Sequence, residues 1–364
     1  MPQGQVLRSL RGLRKSYDTV EALCGLDLDI HEGEFLTLLG PSGCGKTTAL
    51  RVIAGLEAPS SGRVLLNGED ITNLAPGKRP VNTVFQNCVF FPHMNAAENI
   101  AYGLRMRGED KKQAALRAEK MLELVQLGGL GKRMPGQMSG GQRQRVALAR
   151  SLILSPRILL MDDPLGAVEL PLRRQIWREI KRMQQEEGFA LVLVTQDQEE
   201  ALAMSDRIAL MRAGRLVEVS SPPDLYERPQ TAFSAGFFGE ANLIRARAEA
   251  VKEGEVLLNI AGFTLPCNDN DWMIPGEELL LCVRAERVHL SLQPSAHLCW
   301  VRGELVQSLI AGGYRNSLVR LPDGQTVIVR RSTESGEAPA PGSPVYCWWQ
   351  QAAGVLVRDD REKA

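Results

Sequence analysis

The sequence predicts an α/β core built on a mainly parallel sheet, a helical insert within it, and a small all-β domain after it. Three patterns carry that expectation. Continuous apolar runs at residues 158–161 and 190–194 read as interior strands of a sheet, and the mostly apolar 34–39 as a further buried strand. Between Val6 and about Gly239 such runs alternate with helical spacing, clearest at 170–185, the pattern of a sheet with helices packed on it. After 237–242 the long helical pattern stops. Residues 255–260, 279–283, 316–321 and 326–330 are then short strand candidates, separated by turn signals such as Asp323-Gly324 and Pro341-Gly342, and a small barrel is expected.

Length and composition agree with two globular domains. The chain has 364 residues, 44% of them hydrophobic, enough for two buried cores. Lysine plus arginine equals aspartate plus glutamate at 43 each, which excludes the global basic footprint of a nonspecific nucleic-acid binder; no nucleic-acid partner is expected. The seven cysteines, at 24, 44, 88, 267, 282, 299 and 347, form neither a metal-ligand spacing nor a dense disulfide framework, and a reducing cytosol suits them. The first residues do not read as a secretory signal, and no apolar stretch reaches the roughly 20 residues of a bilayer-spanning helix. Membrane association is expected only through a partner or a surface patch.

Taken in order, the strand at 34–39 leads into Gly40, Pro41, Ser42, Gly43, Cys44, Gly45, Lys46, Thr47 and Thr48, a full G-x-x-x-x-G-K-[ST] phosphate loop, and a helix is expected over 47–54. The glycines permit the tight turn, the loop amides and the helix amino end face anionic oxygens, Lys46 reaches the β/γ-phosphates, and Thr47 is placed to ligate Mg2+. A nucleotide with Mg2+ is the expected ligand. Val64-Leu65-Leu66 before Asn67-Gly68 predicts a small antiparallel hairpin with a type I′ turn. Residues 96–106 and 111–125 carry apolar side chains at helical spacing, which either bury the insert's own core or face a partner. Ser139 and Gln142 have capping-box spacing, and Gly140 and Gly141 between them permit close backbone approach. Asp162 follows the apolar strand 158–161, where a carboxylate either caps a turn or helps hold Mg2+.

The phosphate loop, Val84-Phe85-Gln86, Met138-Ser139-Gly140-Gly141-Gln142, the run ending in Asp162, and Thr195-Gln196-Asp197 stand in the order of an ABC transporter ATPase subunit. The chain resembles the polyamine-importer ATPases in particular, with iron(III) and sugar importer subunits nearby, and the likeness covers nearly its whole length. The resemblance implies a P-loop ABC ATPase domain over 1–240, with its helical subdomain at about 88–155, and an OB-like β-rich regulatory domain over 241–364. Tyr17 aligns with the adenine-stacking aromatic, and Gln86 with the glutamine that senses Mg2+ and the γ-phosphate. Residues 139–142 align with the signature that contacts the nucleotide of the opposite protomer, and Asp162 with the carboxylate holding Mg2+. The expected assembly is a homodimer or ATPase heterodimer bound to two permease subunits at the cytoplasmic face of a bacterial inner membrane, served indirectly by an extracytoplasmic binding protein. Phe90, Phe91 and Met94 are candidate permease contacts, with internal packing as the alternative.

Three departures from the family pattern bear on chemistry. Asp163 stands where the resemblance implies the catalytic glutamate; it keeps the charge but reaches about 1.5 Å less far. Gln196 stands at the switch histidine and cannot become cationic. Gly166 and Glu169 replace the serine and aspartate of a stretch that communicates across the dimer. ATP binding is expected to persist with Asp163 aligning water, Lys46 and Gln196 facing the γ-phosphate, and hydrolysis slow or conditional. The alternative is a hydrolysis-impaired subunit acting beside an active one.

Overall fold

The computed structural model describes residues 5–85, 90–166, 168–252, 255–268, 275–294, 299–335 and 339–361. The chain divides into two compact units, Met1–Pro222 and Pro223–Ala364.

The first unit runs β1 (Val6–Tyr17), β2 (Val20–His31), β3 (Phe35–Leu39), α1 (Lys46–Ala54), β4 (Ser61–Leu66), β5 (Glu69–Asp70), β6 (Val81–Val84), α2 (Ala96–Met106), α3 (Lys111–Leu124), α4 (Gly140–Leu152), β7 (Ile158–Asp162), α5 (Leu170–Glu187), β8 (Ala190–Thr195), α6 (Gln198–Met204), β9 (Arg207–Arg212) and β10 (Arg215–Ser220). Its main sheet has the order β10-β9-β3-β8-β7-β6. All neighbours from β9 to β6 are parallel, and β10 closes one edge antiparallel. β3, β7 and β8 are buried along their whole length, as their largely apolar sequences favour.

Strand alternation divides those runs between two cores. Phe35, Leu159, Met161, Leu191 and Leu193 pack with Ile176, Trp177 and Ile180 of α5 and with the helical insert. Leu36, Leu38, Leu160 and Val192 pack on the other face with Leu50 and Ile53 of α1 and with Leu10 and Leu28 of the β1–β2 ribbon. That ribbon belongs to a second, antiparallel sheet of order β2-β1-β4-β5. The β4–β5 turn has φ 49° at Asn67 and 84° at Gly68, the two positive values a type I′ turn demands. In the insert, Ile100, Leu104, Ala114, Ala118, Leu122, Val146 and Leu152 bury one another, so these positions form its own core.

Two buried arginines hold the far end of α1. Arg8 Nη1 donates to the Ile53 carbonyl at 3.2 Å, and Arg79 Nη1 donates to the Val52 and Ile53 carbonyls at 2.9 Å each. Positive charge at a helix carboxyl end satisfies orphan carbonyls and complements the dipole. Arg79 also donates to the Leu74 and Thr72 carbonyls at 2.9 and 2.8 Å. Arg79→Ala strips donors from these buried acceptors, and a loss of about 3 kcal/mol is expected, read as a lower denaturant midpoint.

The second unit carries α7 (Pro222–Glu227), α8 (Ala232–Phe237), β11 (Ala241–Lys252), β12 (Glu255–Ile260), β13 (Phe263–Asn268), β14 (Glu278–Arg284), β15 (His289–Ser291), β16 (Cys299–Ala311), β17 (Tyr314–Arg320), β18 (Thr326–Ser332), β19 (Pro344–Trp349) and β20 (Gly354–Val357). Two five-stranded sheets, β13-β12-β11-β14-β20 and β15-β19-β16-β17-β18, share a core that includes Val256, Val283, Val301, Val329 and Trp349. The expected boundary at 240 and the division at 222/223 differ by the two short helices. Buried Arg284 explains this, donating to the Tyr226, Ala235 and Phe238 carbonyls and so fastening both helices to β14. The six described cysteines are unpaired and buried. Among the described residues no helix is long and apolar enough to cross a membrane.

Candidate nucleotide site

Parallel pairing brings three loops to one edge of the main sheet. Leu39 is registered with Thr195 across β3 and β8, and Asp162 with Val194 across β7 and β8. The phosphate loop, the Asp162-Asp163 step and the turn at Gln196 therefore leave the sheet side by side, beyond the strands' carboxyl ends, where open α/β sheets bind ligands. They enclose a cavity of about 230 Å³ whose walls include Ser42, Gly43, Gly45, Lys46, Thr47, Thr48, Asp162, Asp163 and Gln196. Ala22 of β2 forms the remaining side.

The loop's shape depends on two glycines. Gly40 has φ 154°, and a Cβ there would lie 2.2 Å from the Met211 carbonyl oxygen and 2.9 Å from Cys44 Sγ. Gly45, with φ 101°, would place a Cβ 2.4 Å from the Ala22 carbonyl oxygen. Neither site tolerates a side chain. Immediately after Gly45, α1 begins, and its first amides have no intrahelical acceptor.

Lys46 is 6% exposed, and its Nζ donates to the Gly40 and Pro41 carbonyls at 2.7 Å each. Its third acceptor is Cys44 Sγ at 3.7 Å, so every acceptor it reaches is neutral. A buried cation with only neutral acceptors, beside the open amides of a helix start, fits a polyanionic phosphate chain. Thr47 Oγ1 donates to Asp162 Oδ1 at 3.1 Å. Burial pushes the Asp162 carboxyl up, opposed by the Thr47 hydrogen bond and the charges of Arg51 and Lys46, while Asp163 adds to the rise.

Asp163 is held by its backbone, its N–H donating to the Val194 carbonyl at 2.9 Å. It has φ 42°, a left-handed conformation that aspartate adopts more readily than most residues. Its carboxylate lies over Gly166: a Cβ at 166 would meet Oδ2 at 2.8 Å and Oδ1 at 3.1 Å. Two departures that look separate in sequence thus occupy one space, the glycine leaving room for the folded-back carboxylate. Burial raises the Asp163 pKa and so does Asp197, while the charge of Arg173 lowers it. Gln196 is exposed at the cavity wall, between β8 and the helix capped by Asp197.

The other expected site residues lie outside this cavity. Ser139 caps α4 in the capping box expected of it: Gln142 N donates to Ser139 Oγ at 3.2 Å, and Ser139 N donates to Gln142 Oε1 at 3.0 Å. The hydroxyl oxygen is occupied as an acceptor while its hydrogen remains available to an outside acceptor. Ser139 and Gly140 are exposed, Gly141 and Gln142 half-buried, and none of the four lines the phosphate-loop cavity. Tyr17 ends β1, 40% exposed, with Lys15 Nζ 4.9 Å from its ring centroid. Gln86 lies outside the described residues. Sequence reasoning missed the Ala22 wall, the two arginines behind α1, and Arg173, which touches both loops beyond Asp163 and Gln196; each acts across the fold, with no local motif to mark it.

Fold and site together define an ATP-binding cassette. A family model described as ABC transporter matches residues 23–166, and one described as TOBE domain matches residues 281–357. The chain is 40% identical over 354 residues to the spermidine/putrescine import ATP-binding protein PotA of Nostoc sp., covering 96% of this chain and 92% of that protein. It is 42% identical over 357 residues to the protein so named in Rubrobacter xylanophilus, covering 97% and 94%. It is also 49% identical over 256 residues to an Fe(3+) ions import ATP-binding protein of Brucella abortus, covering 70% of this chain and 72% of that one. A solved ATP-binding cassette, a dimer in a post-hydrolysis state bound to ADP and Pi, superimposes with TM-score 0.56 at 30% identity, covering 59% of this chain and 99% of that one. The chain belongs to the ATP-binding subunits of ABC importers, and it is an ABC-type ATPase with a TOBE-type β domain.

Proposed function

We propose that this chain energises a polyamine importer by closing as a head-to-tail pair on Mg-ATP, with slow or conditional hydrolysis resetting the pair. The observation that carries the ATP part is the buried, unpaired Lys46 ammonium set at the start of α1 beside the Thr47–Asp162 pair. Lys46 and the loop amides would hold the phosphates, and Thr47 and Asp162 offer the hard oxygens that Mg2+ prefers. Bound there, the metal would neutralise phosphate charge. Asp163 would align water, Gln196 would donate its amide toward the γ-phosphate, and Gln86 keeps its expected sensing role by resemblance alone. Tyr17 would stack on adenine from the face opposite Lys15.

The pairing draws support from Ser139, which is exposed and retains a free hydroxyl hydrogen. In the proposed dimer it donates to the nucleotide of the partner protomer. A groove of about 430 Å³ lined by Leu56, Phe85, Phe90, Phe91, Tyr102 and Arg150 suits a permease segment. Phe91 already packs against Tyr102, at 4.4 Å between centroids with the rings tilted by 43°, so this wall is preformed. Half-buried Met94 adjoins it in sequence. Through that contact the chain would sit peripherally on the cytoplasmic face of a bacterial inner membrane. The second unit would act as its regulatory domain. Polyamine as cargo rests on the names of relatives whose identity extends over both units; the cargo itself need not touch this chain.

Co-purification with two permeases and ATP-dependent spermidine uptake by the reconstituted complex tests the proposal; uptake of iron(III) or a sugar in its place sinks the cargo assignment. Ser139→Ala is expected to cost about 1 kcal/mol through the lost cap. The same variant should weaken ATP-driven dimerisation about tenfold, measured by light scattering, since a hydrogen bond to a charged group is worth about 1.5–3 kcal/mol. Unchanged dimerisation would remove Ser139 from the closed interface. A hydrolysis-impaired role beside an active partner is the second reading, favoured by the Asp163 carboxylate lying over Gly166.

A further inference from the structure

We propose that Arg173 is a positioning residue that ties the loop after Asp163 to the turn after Gln196, so that both respond to nucleotide together. This rests on the reading that Asp163 and Gln196 face the γ-phosphate. Arg173 lies in the first turn of α5, its side chain 19% exposed. Its Nε and Nη2 donate to the Val168 carbonyl at 3.3 and 3.0 Å. Its Nη1 donates to Asp197 Oδ2 at 3.4 Å and to Glu200 Oε1 at 3.3 Å.

Each end of this bridge is itself fixed. Val168 N donates to the Leu165 carbonyl at 2.9 Å, closing the turn at 165–168 that follows Asp163 and Pro164. Asp197 N donates to Thr195 Oγ1 at 3.0 Å, and Asp197 Oδ1 accepts from Glu200 N at 3.0 Å. A displacement of Gln196 is therefore passed through Asp197 to the guanidinium and on to Val168. A planar fork carries this load in a way a single ammonium does not, because its separate N–H groups hold the two partners at once. A purely local staple would need no contact with Asp197. The sequence places Val168 and Asp197 on different loops, and among the described residues Arg173 hydrogen-bonds to both.

Hydrogen exchange of the full chain with and without Mg-ATP tests this independently of turnover. In the native chain, peptides spanning 163–169 and 195–200 should gain protection over the same ATP range. Arg173→Lys keeps the positive charge and removes the fork. In it, one of the two peptides should lose at least about half of its ATP-induced protection, with ATP affinity within about twofold. Asp197→Asn should produce the same uncoupling, and the double variant should add nothing further. Paired responses that persist in Arg173→Lys overturn the proposal, as does additive loss in the double variant. Asp163→Asn provides the separate control. Undiminished turnover in that variant would discard the underlying reading of Asp163, whereas lost turnover with coupling intact in Arg173→Lys discards only the role of Arg173.

Discussion

Asp163→Glu should raise steady-state ATP turnover about 10- to 100-fold, the largest gain expected from any single change in this chain, because a misplacement of about 1 Å costs roughly that much. The reason is local. The aspartate is anchored by its own N–H to Val194 and keeps its carboxylate over Gly166, so its oxygens face the loop. An added methylene extends the reach of the carboxylate by about 1.5 Å. The left-handed φ of 42° is less suited to glutamate, and a penalty of about 1 kcal/mol in stability accompanies the gain. Gln196→His adds a group able to become cationic near neutral pH, and a further rise of about tenfold is expected from it. Single-turnover and steady-state phosphate release, normalised to bound ATP, measure both. A flat response in both variants would place the limit in closure of the pair.

Lys46→Ala should abolish turnover, by at least about 100-fold, while leaving the fold intact. Removing the ammonium strips the phosphates of their nearest buried charge. Stability should change little, because two opposed terms meet at this residue. The Gly40 and Pro41 carbonyls lose a donor, but the chain no longer keeps a desolvated cation without an ion pair. A melting temperature within a few degrees of native, with ATP binding lost by equilibrium dialysis, marks the lysine as functional. A collapse of the melting transition would mean instead that it holds the loop together.

Much of this architecture was legible because the informative signals are local. Largely apolar runs gave β3, β7 and β8 to within a residue or two, and Asn67-Gly68 gave its hairpin. The phosphate loop and the capping box at Ser139 are short spacings with a backbone reason. What escaped was weakly patterned or distant. β11 alternates alanines with arginines and glutamate, too little apolar contrast to announce a strand of 12 residues. β16 runs 13 residues but ends in exposed Leu309 and Ile310, which blur its alternation. In the site, the sharing of space between Asp163 and Gly166, and the reach of Arg173 to Asp197, depend on how a turn folds over and how two loops meet. No spacing encodes either.

The two arginines behind α1 have a mechanical consequence. A helix gripped at its trailing end by Arg8 and Arg79 cannot recoil along its axis when charge arrives at its leading end. It serves as an anvil. The phosphate loop at its leading end is thereby backed by a fixed element, against which the Arg173-linked loops after β7 and β8 would shift as one.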